Sequence, residues 1–99
     1  MNATLDERTC LTASPSVYAR AFGEELVLLD FGKGEYFGLD VIGAVIWRRL
    51  EAGDTLGAIA ESVASQYEVG RDEALRDIVD LVAQLAENNL VIPVDSGAA

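Results

Sequence analysis

Residues 25–50 read ELVLLDFGKGEYFGLDVIGAVIWRRL, and the spacing of apolar side chains in this stretch changes from that of a strand to that of a helix. The run Glu25–Phe31 is β-branched and aromatic enough to predict a strand. Gly32-Lys33-Gly34 is the kind of short glycine-containing loop that joins hairpin strands, and Glu35–Leu39 completes the hairpin. Asp40 is a good helix N-cap, because its carboxylate can accept hydrogen bonds from the free amides that open a helix. Strands therefore precede helices in this chain.

The segment before this stretch predicts one more strand. Val17–Phe22 ends in the turn signal Gly23-Glu24, which leads directly into the run at Glu25. The three runs together predict a three-stranded antiparallel meander, in which Glu35–Leu39 lies at an edge.

Three helical patterns follow. The first, from Val41 to Glu51, is apolar around almost its whole circumference, which predicts a helix buried on most sides with Trp47 in the core. The second is capped by Thr55 and runs to Tyr67. The third has acidic residues in its first turn and ends at Asn88-Asn89, where Asn can supply the left-handed residue that closes a helix.

The order of elements predicts an α+β domain of winged-helix type, a three-stranded antiparallel sheet followed by three helices. The length of 99 residues fits a single domain. Residues 17–94 are predicted to form it, with Leu90–Val94 as a short terminal strand or an extended tail. Residues 1–16 are predicted to be a flexible, mostly loose arm with a short extended piece at Thr9–Thr12, and residues 95–99 a frayed end.

The net charge of −10 argues against nucleic acid as a partner, because phosphate backbones are bound by Lys and Arg. The third helix would be the recognition helix of a winged-helix DNA binder, and between Arg71 and Glu87 it carries two basic and five acidic residues. The acidity itself fits either a solvated surface or attraction to a basic partner.

The residue types needed for common catalysis are missing, so the chain is predicted not to be an enzyme. The sequence has no His, and Cys10 is its one cysteine, so the common zinc ligand sets cannot be built. The carboxylates of the third helix fall on its polar side and fit a solvated face better than a catalytic acid pair. No cofactor and no metal site are predicted.

The location is predicted to be cytoplasmic, with no membrane partner. The first eight residues lack the basic start and apolar run of a secretory signal, and every apolar segment is too short to span a bilayer. A single cysteine cannot form a disulfide bond within the chain.

The edge strand and the third helix are the candidate binding surface. The edge Glu35–Leu39 is aromatic and contains Gly38, and an open edge of this kind is a usual docking site for an added strand. Tyr36 and Phe37 point to opposite faces, so one is core and the other available. The apolar arc of the third helix spans roughly 160°, wider than the stripe of about 100° that one core requires. Its margin can form a groove with the edge strand, or can be ordinary core.

The stretch Leu39–Leu50, with the block Gly43-Ala44-Val45-Ile46-Trp47, resembles the signature of PqqD-like proteins. The spacing of Ile59 to Tyr67 and of Asp77 to Leu90 is similar to the second and third helices of that family. The resemblance extends from about Val17 to Ile92.

This resemblance implies a recognition element for ribosomally made, modified peptides, which binds the leader of a precursor peptide as an added strand between the third strand and the third helix. The implied partner enzyme is a leader peptidase with a cyclase in lasso-peptide synthesis, slightly favoured, or a radical S-adenosylmethionine enzyme in pyrroloquinoline quinone synthesis. We therefore expect a stand-alone leader-binding protein. Carried over by position, the residues that would pair with the leader strand are Tyr36, Phe37, Gly38 and Leu39. The helical wall, chosen from the helical wheel of the third helix, would be Leu75, Arg76, Val79, Asp80 and Ala83.

Two other functions fit the same elements. One is a winged-helix interaction or transcription-factor-like module, which would bind duplex DNA in a strongly salt-dependent manner. The other is an obligate non-catalytic subunit of an enzyme complex, whose edge strand would be covered permanently by its partner.

Overall fold

The structure, a computed structural model, describes residues 5–94 and contains the three-stranded sheet that the sequence predicts. Its strands are β2 (Val17–Phe22), β3 (Glu25–Asp30) and β4 (Glu35–Leu39), in the spatial order β2-β3-β4 and antiparallel throughout. Gly23 has φ +62° in the two-residue loop between β2 and β3, a backbone conformation that glycine adopts without a steric penalty.

Asp30 fixes the second hairpin loop. Its Oδ1 accepts hydrogen bonds from the backbone amides of Gly32 (2.9 Å) and Lys33 (3.3 Å) and from the Ser16 hydroxyl (3.0 Å). Burial opposes ionisation of this carboxyl, but these hydrogen bonds, with the Ser16 hydroxyl contributing most among them, and the nearby Lys33 charge together hold its pKa below the usual value. The side chain is 4% exposed and thus organises the loop from inside the sheet.

The helices α1 (Val41–Glu51), α2 (Leu56–Tyr67) and α3 (Arg71–Glu87) follow in the predicted order. Both predicted N-caps form, because Asp40 Oδ1 accepts from the Gly43 amide at 2.8 Å and Thr55 Oγ1 accepts from the Ala58 amide at 3.1 Å. Asn89 has φ +59° just after α3, which confirms the predicted left-handed residue. The α+β architecture, with strands before helices, is confirmed.

The core lies between β3, α1 and the inward faces of α2 and α3. Trp47 is 1% exposed, so its predicted place in the core is confirmed. Its indole Nε1 is buried without a hydrogen-bond partner among residues 5–94. The largest fully buried side chains besides Trp47 are Leu28, Leu50, Leu56, Ile59, Ile78, Val82 and Leu85.

The segment before Val17 corrects the prediction of a mostly loose arm as far as Ser16. Leu11–Ala13 forms β1, which pairs antiparallel with β5 (Val91–Pro93) in a second, two-stranded sheet. Leu11 is 3% exposed and belongs to the core. The Leu56 amide donates to the Thr9 carbonyl at 3.0 Å, so this segment also satisfies the start of α2.

Gly57 allows a second contact between this segment and the start of α2. The Gly57 amide donates to the Glu7 carbonyl at 2.9 Å, and a Cβ at Gly57 would lie 3.1 Å from that carbonyl oxygen.

Of the two predictions for Leu90–Val94, a strand or an extended tail, the strand is correct for Val91–Pro93. The predicted frayed end at 95–99 lies outside the described residues. Within residues 5–94, no helix has the length and apolar character needed to cross a membrane.

Candidate functional site

A groove of about 520 Å³ lies between the edge of β4 and α3, and it is called the β4–α3 groove below. Its volume falls within the range of about 300–1,000 Å³ that is common for ligand-binding pockets. The residues that line it are Phe37, Gly38, Leu39, Asp40, Ile42, Gly43, Ile46, Asp77, Leu81 and Gln84.

The floor of the groove is formed by the first turns of α1. Ile42 is 40% exposed, unlike the buried Ile46 and Trp47 of the same helix, so it presents apolar surface to the groove. Ile46 lies one turn further on and is buried. Gly43 allows this close packing, because a Cβ there would lie 3.3 Å from Leu39 Cβ. The Gly43-Ala44 pair thus lets the start of α1 press against the end of β4.

The outer side of β4 carries unpaired main-chain groups. No strand within residues 5–94 pairs with β4 on the side away from β3. The Phe31 amide donates to the Ser16 carbonyl, so the main chain of odd-numbered residues at this end of β3 points toward β2. Hydrogen-bonding directions alternate along an antiparallel strand, so Leu28 and its partner Phe37 bond to each other across the sheet.

The same alternation identifies the free groups of the edge. The main chains of Glu35, Phe37 and Leu39 point toward β3, and those of Tyr36 and Gly38 point outward. Gly38 is exposed, and a Cβ there would meet no heavy atom within 4 Å. The N–H and C=O groups of Tyr36 and Gly38 are therefore the ones available to an added strand.

The helical wall of the groove is a mixed apolar and acidic face of α3. Leu81 is half-buried and packs against the core, while Asp77 and Gln84 are exposed on either side of it along the helix. Asp77, Leu81 and Gln84 are spaced four and three residues apart, which places them on one face. This wall is about 10 Å long at 1.5 Å per residue, the same length as three residues of extended strand.

The five helix residues predicted from the helical wheel do not line this groove. Leu75, Val79 and Ala83 are half-buried, and Arg76 and Asp80 are exposed. At 3.6 residues per turn, Val79 lies about 100° to one side of the buried Ile78, and Leu81 about 60° to the other side. The wide apolar arc has two margins, and the margin that faces β4 is that of Leu81.

The four predicted strand residues divide between two surfaces. Phe37, Gly38 and Leu39 line the groove. Phe37 packs against the core while Tyr36 is 78% exposed, which confirms that they point to opposite faces. Tyr36 belongs to an outer aromatic face of the sheet, where Tyr18 and Phe31 form an edge-to-face pair with ring centroids 5.7 Å apart. Phe22 is exposed on the same strand face as Tyr18.

Sequence reasoning missed seven lining residues: Asp40, Ile42, Gly43, Ile46, Asp77, Leu81 and Gln84. Asp40 and Gly43 were noted only for capping and for the family signature. Ile42 and Ile46 looked like ordinary members of a buried helix, because the pattern of α1 is apolar nearly all round. No group of three or more potential metal ligands occurs among residues 5–94.

Comparison with known proteins gives a family and two solved structures. The family model for coenzyme PQQ synthesis protein D (PqqD) matches residues 25–91. One similar structure is a lasso peptide synthetase B1 complexed with the leader peptide, with a TM-score of 0.79 and 36% identity over 84% of this chain and 98% of that one. Another is TbiB1 in complex with the TbiA(beta) leader peptide, with a TM-score of 0.77 and 34% identity over 89% and 98%. No curated protein gives a significant match.

Proposed function

Because this chain belongs to the PqqD family, we propose that it binds the leader segment of a ribosomally synthesised precursor peptide and presents it to a processing enzyme. The leader adds as a strand to the outer edge of β4 and places alternate side chains in the β4–α3 groove. The observation that carries this proposal is the unpaired edge at Tyr36 and Gly38 directly beside a groove of matching length.

Lasso-peptide synthesis is the pathway that we favour over pyrroloquinoline quinone synthesis. Both similar structures contain a leader peptide, one of them with a lasso peptide synthetase B1, and this chain covers 98% of each protein. The identity of 34–36% extends over most of this chain. The family model alone would be compatible with either pathway.

The protein acts without chemistry of its own in this proposal. Strand addition supplies affinity through main-chain hydrogen bonds, and the groove supplies specificity through side chains. The processing enzyme is a second partner, and the outer aromatic face of Tyr18, Phe22, Phe31 and Tyr36 supports such a partner, because contiguous exposed apolar surface marks interaction sites.

A DNA-binding role is not supported by the groove or by the helix. Two of the lining residues are carboxylates, and α3 carries a net charge of −3 from Arg71 to Glu87. Such a helix would be repelled by phosphates.

The experiment that tests the proposal is a calorimetric titration with the leader half of the small precursor peptide encoded nearest to this gene. We expect saturable binding of one peptide per chain, and no binding by the core half of the same precursor. Equal binding of both halves, or of neither, would contradict leader recognition. An equal length of duplex DNA serves as the comparison for the winged-helix alternative.

A further inference from the structure

The α3 side of the groove carries negative charge that its own helix does not offset. Asp77 lines the groove, and its two helical neighbours outside the lining, Glu73 one turn before it and Asp80 three residues after it, are also acidic. Like charges at these spacings destabilise a helix, whereas a Lys or Arg in either place would have stabilised it. The side chain of Asp77 forms no hydrogen bond or ion pair with any residue between 5 and 94. Its carboxylate is therefore free to accept a partner from outside.

A second carboxylate lies elsewhere in the same lining. Asp40 uses Oδ1 to cap α1, accepting from the Gly43 amide at 2.8 Å, and its side chain is exposed. The described lining of the groove contains these two carboxylates and neither Lys nor Arg. Since the whole chain has a net charge of −10, the field around the groove also attracts cations and repels anions.

The spacing of Asp77 and Leu81 matches the repeat of an extended peptide. Four residues of helix separate them by about 6 Å along the axis. Side chains on one face of a strand repeat every two residues, or about 6.6 Å. An added strand that runs along α3 and seats an apolar side chain against Leu81 thus brings the side chain two residues away, in the direction of Asp77, alongside that carboxylate.

We propose that the β4–α3 groove selects extended peptides that carry a Lys or Arg two residues from an apolar side chain, with the cation beside Asp77 and the apolar group against Leu81. This inference rests on the proposed function and specifies the class of leader that the site accepts. The length and chemistry of the lining support this inference. Ile42 and Ile46 form an apolar floor for the apolar side chain, and the carboxylates of Asp40 and Asp77 attract the basic one.

The test is selection from a displayed library of random twelve-residue peptides on the immobilised full chain. We expect the wild-type protein to enrich Lys or Arg at two residues from Leu, Ile, Val or an aromatic residue. Asp77→Asn should lose the basic preference and keep the apolar one, and Asp77→Lys should enrich Asp or Glu at the same position. Asp77 is exposed, so neither substitution should disturb the fold.

The matched control is Asp80→Asn, which removes the same charge from an exposed position of α3 outside the groove lining. It should leave the basic preference intact. For one selected lysine peptide, Asp77→Asn should weaken binding about two- to fivefold, as for an exposed ion pair, and should reduce the dependence of affinity on salt.

The outcomes separate this inference from the proposed function. Peptides that enrich, compete with the precursor leader and lack a basic preference would overturn the inference and leave leader binding standing. The same result follows if Asp77→Asn and Asp80→Asn change the preference equally. A library from which nothing enriches, on a protein that also fails to bind the leader half, would overturn both.

Discussion

Lys33 Nζ donates a hydrogen bond to the Asn88 carbonyl at 2.9 Å, and this contact joins the loop before β4 to the end of α3. The two residues are 55 positions apart in the chain. They lie at one end of β4 and of α3, the two elements whose separation defines the groove. A cation near the C-terminus of a helix also interacts favourably with the helix dipole. The contact therefore helps to hold the strand edge and the helical wall at a fixed distance.

Replacing Lys33 by Met should make the groove less rigid without changing the residues that line it. The apolar stem is retained while the hydrogen bond is lost, so we expect the free energy of unfolding to fall by about 0.5–1.5 kcal/mol. Leader affinity should fall about two- to fivefold, because the groove must be ordered upon binding. Urea unfolding and calorimetry measure the two quantities. Arg20→Met removes an equal charge from β2 and should change neither by a comparable amount.

Gly38 should tolerate Ala but not Pro when peptide binding is measured. A Cβ at Gly38 meets no atom within 4 Å and the residue is not in the left-handed region, so Gly38→Ala should fold and bind normally. Gly38→Pro removes an N–H that points away from β3, so the sheet should survive while the added strand loses a hydrogen bond. We expect binding to weaken at least about tenfold. Unchanged affinity in the Pro variant would rule out strand addition on β4.

Leu81 and Val79 provide a matched pair on the two margins of α3. Both are half-buried and pack against the core, but Leu81 alone lines the groove. Leu81→Ala and Val79→Ala should each cost about 1–2 kcal/mol of stability, less than for a fully buried site. Only Leu81→Ala should reduce leader affinity, by about five- to thirtyfold. If Val79→Ala weakened binding and Leu81→Ala did not, the helical wall would be the one predicted from the helical wheel.

The segment before β2 should prove essential for stability. Leu11→Ala removes a side chain that is 3% exposed in the core, so we expect a loss of about 2–4 kcal/mol. Thermal and urea unfolding check this, with Ile92→Ala as the control, since Ile92 is 40% exposed in β5, the strand that pairs with β1. A loss below about 0.5 kcal/mol for Leu11→Ala would mean that this segment is the loose arm that the sequence predicted.

Asp30 should make stability depend on acid. Its pKa is lower in the folded chain than the ordinary value of 3.8, so its contribution is present above the unfolded pKa and is lost as pH falls through the folded pKa. Asp30→Asn should therefore be less stable at pH 7 and should show a shallower decline of stability below about pH 4. Unfolding by urea at several pH values tests this. Asp80→Asn, at an exposed site, should keep the wild-type slope.

The strands of the main sheet and the three helices were predictable because their signals are local. The change of period at Asp40, the caps and the turn glycines all lie within a few residues of the elements that they define. The second sheet was not predictable in the same way. β1 and β5 have three residues each, and Leu11 pairs with Pro93 across most of the chain. A strand of three residues is too short to show the alternation of apolar and polar side chains from which strands are predicted.

The groove, like the fold, was predictable only where the signal lies within a short stretch of sequence. The open edge at Gly38 followed from the strand order, and the width of the apolar arc on α3 predicted apolar surface beyond what one core requires. The choice between the margins of Val79 and Leu81 depends on the direction in which α3 passes the sheet. α3 packs mainly on α2, and a helical wheel does not contain the direction of that packing. The helix residues named from the wheel were therefore on the far margin.

The most direct measurement is amide hydrogen exchange of the free and leader-bound protein, resolved residue by residue by NMR. Phe37 and Leu39 bond toward β3 and should be protected in both states, while Tyr36 and Gly38 face outward and should become protected only with the leader bound. The amides of Ala19 and Ala21, which face outward on the opposite edge strand β2, should not change. Protection that appears on β2 instead, or saturable binding that leaves Tyr36 and Gly38 exchanging freely, would contradict the addition of the leader to β4.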